Sequence, residues 1–343
     1  QRMQIIGSFF DAEHQLKTQR LFQKLTAVAH KDYHPSQALC EIGTNFRALE
    51  TSRKQSELTH MTLANRMMAR QLLNGDSLSS RGSYQDRNSR LDLFIRKFCN
   101  KTDHGGGLQK LCENGGESPN QINLDIDYTN AIDNKLTLEI DFTDEGRDLV
   151  TEDEENVFSL SSNLFANEVL PSISDNLLVR NGQPTKNVNY LLDLRAVAAK
   201  RSVAQNSFAA ITAMKAESKS DSAPFLKAVL LKSGVSPEDI EERLGENPSL
   251  DAQQEILTKD LLRNPEFYSN LYDKPANIER TSASLLALEL IQDRNIYKSL
   301  LRSEAVLATM IEVLIQKEHD RITTDLRNIK TTSSEMRQDG GGP

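Results

Sequence analysis

Along residues 36–73 apolar side chains recur at alternating spacings of three and four, with Ile42, Phe46, Leu49, Leu63 and Met67 on one line of a long helix. The same line passes through Arg53, Ser56 and His60, a polar gap in an otherwise apolar seam. A second run over 185–217 carries Tyr190, Leu194, Val197, Ala204, Phe208 and Ile211 at heptad-like spacing, with Arg201 inside the seam. Helices of this length commit the chain to helix-on-helix packing. Two more are expected near the front. One covers 11–31 with Leu16, Phe22, Leu25 and Ala29 on a face, and is interrupted at "HPSQ". The other covers 86–98 and joins Leu91, Phe94, Ile95 and Phe98.

Composition agrees, since Trp is absent, aromatics make up 6% and Leu, Ala, Gln, Glu, Lys and Arg dominate. The expected fold class is therefore mainly α: an elongated multi-helix bundle with long amphipathic helices and one small β-hairpin insert. The hairpin is placed at 122–142, where "INLDIDYTNAIDNKLTLEIDF" alternates apolar and acidic residues on both sides of "TNAIDN". Two strands alone are marginal in water, so the hairpin is expected to lie on helices or pair with another chain. Next, "TEDEENVFSL" restarts helix, with Thr151 and Glu154 spaced as a capping box.

The final third reads as shorter helices punctuated by "SGVSPED", "GENPS", "RNPEF" and "YDKPANIE", where proline opens helices and serine caps them. A last long helix is expected from near residue 296, apolar over a wide face up to Ile315 and narrowing to Ile322, Leu326 and Ile329 beyond Lys317. Such an end either leaves the body or pairs with a partner, a homo-oligomer included. The organisation expected is a helical region at 1–116, an acidic hairpin insert at 117–150, a helical domain at 151–330 and a disordered tail at 331–343.

Net charge is −8, unevenly placed: residues 1–112 hold 17 Lys/Arg against 10 Asp/Glu, whereas 117–156 hold 2 against 13. No basic stripe with interleaved aromatics accompanies the front, which argues against nucleic acid as a partner. No run of 18 apolar residues marks a membrane span. The chain opens on "QRMQIIGSFF" without a leader pattern, which fits a mature form as well as a cytoplasmic one.

Motifs for chemistry are sparse. His30 and His34 stand four apart, but Lys31 occupies the place where a metalloprotease helix has its glutamate, and Pro35 biases His34 out of helical geometry. Asp125, Asp127, Thr129 and Asp133 fall at calcium-loop positions, yet Asn130 and Leu136 replace the glycine and the bidentate glutamate. Gly105, Gly106 and Gly107 lack the Lys-Ser/Thr of a phosphate loop. Nothing calls for a cofactor or metal. Arg53 and Arg201 are candidates for buried polar contacts that fix helix register, against the alternative of snorkelling to a carboxylate at the helix edge. In "NPEFYSNLYDKPANIERT", Tyr268, Tyr272, Asp273, Lys274, Asn277 and Arg280 form a candidate interaction surface, against the alternative of a packed helix corner.

Cys99 and Cys112 lie in "FCNKTDHGGGLQKLC". Metal needs more paired ligands than Cys99, His104, Cys112 and the distant Cys40 offer, and a redox pair needs a tighter spacing. A disulfide would close a glycine-rich loop and contribute roughly 3 kcal/mol; two reduced, buried cysteines are the alternative. The disulfide is favoured, and with it an oxidising compartment.

The blocks "KDYHPSQALCEIGTNFRALETS", "FCNKTDHGGGLQKLC", "NLDIDYTNAIDNKLTLEIDFTDE", "YLLDLRAVAAKRSVAQNSFAAITAMKA" and "NPEFYSNLYDKPANIERTSASLLALELIQDRNIYKSLLRSEAVLATMIE" resemble a bacterial envelope protein family associated with type IVB, Dot/Icm-like secretion and conjugation systems. The resemblance spans nearly the whole chain and carries no catalytic motif. It implies an exported, mostly helical protein that assembles with others. The function expected is a non-enzymatic assembly component of a secretion or conjugation apparatus, periplasmic or exported, with envelope-complex proteins as partners. The alternatives are a periplasmic cell-wall hydrolase using Asp125, Asp127, Glu139 and Asp141, and a cytoplasmic helical adaptor.

Overall fold

Helix starts are set by the residues the sequence offers as caps. Thr151 accepts from the Glu154 amide while Glu154 reaches back to the Thr151 amide, closing the capping box. Ser236, Ser249 and Asn264 each accept a backbone N–H from the first turn that follows. Proline stands at the start of four helices. The computed structural model describes residues 2–35, 37–73, 82–113, 115–116, 119–142, 150–165, 169–170, 178–180, 182–184 and 188–339.

The helices are α1 (Arg2–Tyr33), α2 (Gln37–Gln71), α3 (Ser83–Leu93, continued by a π-helical turn at Phe94–Phe98), α4 (Glu152–Leu164) and α5 (Val188–Lys215). Then come α6 (Ala223–Lys232), α7 (Pro237–Leu244), α8 (Leu250–Glu255, prolonged by irregular turns to Arg263), α9 (Pro265–Asn270) and α10 (Pro275–Asp339). The protein is mainly α. None of these helices is long and apolar enough to cross a membrane. The last helix begins at Pro275, well before the expected start, and its backbone takes in 331–339, which the sequence reading assigns to a disordered tail.

Two compact units cut across the expected blocks: 1–57, 134–141 and 214–293 form one, and 58–133, 142–213 and 294–343 the other. In the first, Leu226, Leu230, Ile240, Leu244, Ile256 and Leu257 build the apolar core, joined by Leu49 of α2 and Leu288 of α10. A polar knot sits beside it. The Gln253 amide donates to Ser52 Oγ at 2.6 Å and to the Pro248 carbonyl at 2.9 Å, and Ser218 Oγ donates to the same carbonyl at 2.6 Å. Ser52 Oγ and Ser218 Oγ stand 2.7 Å apart, which closes the network.

In the second unit Leu63 and Met67 of α2, Phe98, Val157 and Leu160 of α4 and Phe208 of α5 are buried. Arg70 grips Asp86 with two bonds of 2.9 and 3.0 Å and also reaches Ser162, tying α2, α3 and α4 together. Arg66 lies over the Phe142 ring at 4.6 Å, and Phe142 packs on Phe158 at 5.3 Å.

No hairpin forms over 122–142. Residues 122–126 turn, with the Ile126 and Asp127 amides both donating to the Asn123 carbonyl, and Thr129–Asp133 is a π-helical turn that buries Ala131 and Ile132. The second half is extended, but its neighbour is the end of α5: Leu138 bridges Ala216 in parallel, donating to the Lys215 carbonyl at 2.7 Å and accepting from the Glu217 amide at 2.9 Å. The supposed strand halves are thus satisfied in different units. Among the described residues the paired strands are β1 (Val179–Arg180) and β2 (Gln183–Pro184), antiparallel and flanking Gly182. That is where an Asn-Gly turn signal stands in the sequence.

Candidate protein-interaction site

The aromatic corner divides into a scaffold and a surface. Asp273 accepts from the Lys274 amide and from the Asn277 side chain, both at 2.7 Å. Asn277 is buried, and its amide also donates to the His34 carbonyl at 3.3 Å, while Arg280 donates to the Tyr33 carbonyl at 3.2 Å. The last carbonyls of a helix have no intrahelical partner. Asn277 and Arg280 therefore act as the C-terminal clasp of α1, and what remains exposed at the corner is Tyr268, 55% accessible, and Tyr272, 94% accessible.

The two helices clasped there leave apolar surface uncovered. Every described side chain of α1 is exposed, including Phe9, Leu21, Phe22, Leu25 and Val28. On α10 the flank through Leu288, Ile291, Asn295, Arg302 and Thr309 is buried or half-buried. The opposite flank, through Leu290, Tyr297, Leu300, Leu307, Ile311 and Leu314, is open. Monomeric proteins rarely expose contiguous apolar patches beyond about 300–600 Å². Side chains at 318–339, which include Ile322, Leu326 and Ile329, and the side chain of Ile315 lie outside the described residues, as does that of Cys40.

Both seam arginines are half-buried. Arg53 is held by Glu50 at 2.9 Å and Glu57 at 3.0 Å, the carboxylate contact given as its alternative. The buried line of α2 runs one residue earlier, through Ser52, Thr59, Leu63, Met67 and Gln71. On α5 it runs through Ala198, Gln205, Phe208, Ala209 and Thr212, leaving Tyr190, Val197 and Ile211 outside. Gln71 donates to Gln205, and His60 meets Asn206 at 2.9 Å. Gln71 Oε1 and Gln205 Nε2 of this buried pair have no hydrogen-bond partner among the described residues.

Cys99 and Cys112 are joined by a disulfide, with Cα atoms 5.6 Å apart and both residues buried. The loop between them is braced by Asn100 on Asp103 at 2.9 Å and by Asn123 on the other Asp103 oxygen at 2.8 Å. The glycines that matter most follow it. A Cβ at Gly115 would stand 1.8 Å from the Ile95 carbonyl oxygen, and one at Gly116, where φ is +73°, would stand 2.5 Å from that of Cys99. Gly115 and Gly116 mark the place where the chain passes close against its own backbone.

The acids divide as the strand halves do. Asp125 is buried, with one oxygen held by Asn163 at 3.0 Å and the other without a hydrogen-bond partner, and burial pushes its carboxyl up from the usual range. Asp127 is pulled down by bonds from the Asn130 backbone and side chain. In the other unit Glu139 is exposed and Asp141 is buried against Lys219 at 3.2 Å. His34 Nδ1 donates to the Pro35 carbonyl at 2.9 Å, and no metal-binding group of His, Cys, Asp and Glu is found among the described residues. No protein-family model, curated protein or solved structure matches the chain.

Proposed function

We propose that this protein is a non-enzymatic assembly component of a bacterial envelope machine of the secretion or conjugation type, working in an oxidising compartment through the faces of its long helices. The observation that carries the reading is the pairing of two states in one chain. The short helices α6–α8 enclose Leu226, Leu230, Ile240, Leu244 and Leu250 in the core, whereas α1 and α10 present many apolar side chains outward over many turns. Exposed faces of this kind bind other helices by laying apolar anchors at i, i+3 and i+4 into a groove. The Cys99–Cys112 disulfide supports an exported location, because such bonds persist outside the reducing cytosol.

The test is in the native host. A tagged chain, cross-linked in intact cells, is expected to co-migrate with envelope secretion proteins and to carry Cys99 and Cys112 in a form that resists alkylation until reduced. A chain found with free Cys99 and Cys112 in the soluble cytoplasm, cross-linked to nothing in the envelope, would overturn the proposal in favour of a cytoplasmic adaptor.

A further inference from the structure

We propose that the open flank of α10 is the docking site for α1 of a second copy of this chain, exchanged reciprocally across a two-fold axis. The inference rests on the reading of α1 and α10 as contact surfaces and names their occupant.

Charge makes the selection. Among the exposed Leu290, Tyr297, Leu300, Leu307 and Ile311 of α10 stand Glu289, Asp293 and Glu304, while Lys298 and Arg302 fall on the other flank and Arg294 stacks over the Tyr297 ring at the edge. The flank is apolar and acidic. On α1, Lys17, Lys24 and Lys31 repeat every seven residues with Arg20 between them, forming one stripe beside Leu21, Leu25 and Val28. Glu13 stands on the same stripe and holds Lys17 at 2.8 Å, so the cations this apolar flank offers to a partner are Arg20, Lys24 and Lys31.

Spacing agrees with charge. Asp293 and Glu304 are eleven residues apart, and so are Arg20 and Lys31. At about 1.5 Å per residue both pairs span roughly 16 Å, so antiparallel docking sets Arg20 against Glu304 and Lys31 against Asp293 at once. Pairing of α10 with itself would instead gather the acids of both copies in one seam, where like charges repel. Asn277 and Arg280 fasten the C-terminal end of the chain's own α1, and every side chain described over 7–35 is exposed. A specific interface needs roughly 1,200–2,000 Å² in all, which a contact made twice across a two-fold axis helps to reach, and an isologous dimer is the commonest closed assembly.

Size-exclusion chromatography with light scattering on the purified full-length chain tests this, with circular dichroism reporting on fold. Wild type is expected at twice the monomer mass of 38.5 kDa. Reversing the acids (Glu289→Lys, Asp293→Lys, Glu304→Lys) is expected to weaken the dimer by about tenfold or more per lost pair. Reversing the stripe on α1 (Lys17→Glu, Arg20→Glu, Lys24→Glu, Lys31→Glu) is expected to do the same. Mixing the two variants restores both contacts, so a one-to-one heterodimer should form from chains that are each monomeric. A monomeric wild type, a dimer indifferent to either reversal, or a mixture that stays monomeric overturns the inference. A monomeric wild type that still cross-links to envelope proteins through α1 would leave the proposed function standing and remove only this occupant.

Discussion

The helices between 223 and 263 and the helices α1 and α10 solve the same problem in opposite ways. An isolated helix shorter than about 12–15 residues is marginal in water, so α6, α7 and α8 depend on the enclosure of Leu226, Leu244 and Leu250, and α7 and α8 also on the caps Ser236 and Ser249. α1 and α10 run for 32 and 65 residues with large apolar side chains in the open. The difference teaches where the chain spends its apolar surface: the short helices stabilise the molecule, and the long ones are available to something else.

The contrast breaks most visibly at the core. Leu244→Ala, at a residue with no exposure, is expected to cost about 2–5 kcal/mol in denaturant unfolding, since the capped short helices cannot collapse around the gap. Leu25→Ala on α1 should cost less than about 0.5 kcal/mol while weakening association, because its side chain meets water in the isolated chain. Removing the disulfide (Cys99→Ser with Cys112→Ser) is expected to lower stability by about 2–4 kcal/mol. Gly115→Ala should act at the close approach that follows it, moving the midpoint in the same direction even with the disulfide intact. Ser249→Ala removes the cap of α8 and the 2.6 Å bond to the Leu136 carbonyl, for a loss of about 1–2 kcal/mol.

The smallest expected effect is on pH. Asp125 has its folded carboxyl raised by burial, so the folded state holds that proton more tightly than the unfolded one. The contribution of Asp125 to stability is therefore fully present below the unfolded value of about 3.9 and is lost as pH rises through the folded value. Carbon-13 NMR of the carboxyl should show a titration above the ordinary range, and Asp125→Asn should flatten this part of the stability profile.

Local chemistry made much of the fold readable. The capping box at Thr151 and Glu154, the Ser-Pro start of α7 and the Asn-Pro start of α9 are contained in three or four consecutive residues, and the helices begin there. Seams were readable only approximately. On α2 the line through Leu49, Leu63 and Met67 is correct at its ends, but the polar residues it buries are Ser52 and Thr59 and not Arg53 and His60, because 3.6 residues per turn lets neighbouring lines share the same apolar anchors. Alternation at Leu136, Leu138 and Ile140 does signal extended chain. Its partner, the segment at 215–217, lies far along the sequence and has no strand pattern of its own. Asn277 and Arg280 looked like interface residues for the same reason. Their role depends on the end of α1, which no local pattern connects to them.

The central claim, that the open helix faces are contact surfaces and the short-helix block is not, is tested most directly by a photo-crosslinking residue placed in turn at Leu25, Leu307 and Leu231 in the native host. Leu231 on α6 is 50% exposed and serves as the control. Protein adducts are expected from Leu25 and Leu307 and none from Leu231. Adducts from Leu231 alone, or equal silence at all three positions, would contradict the account.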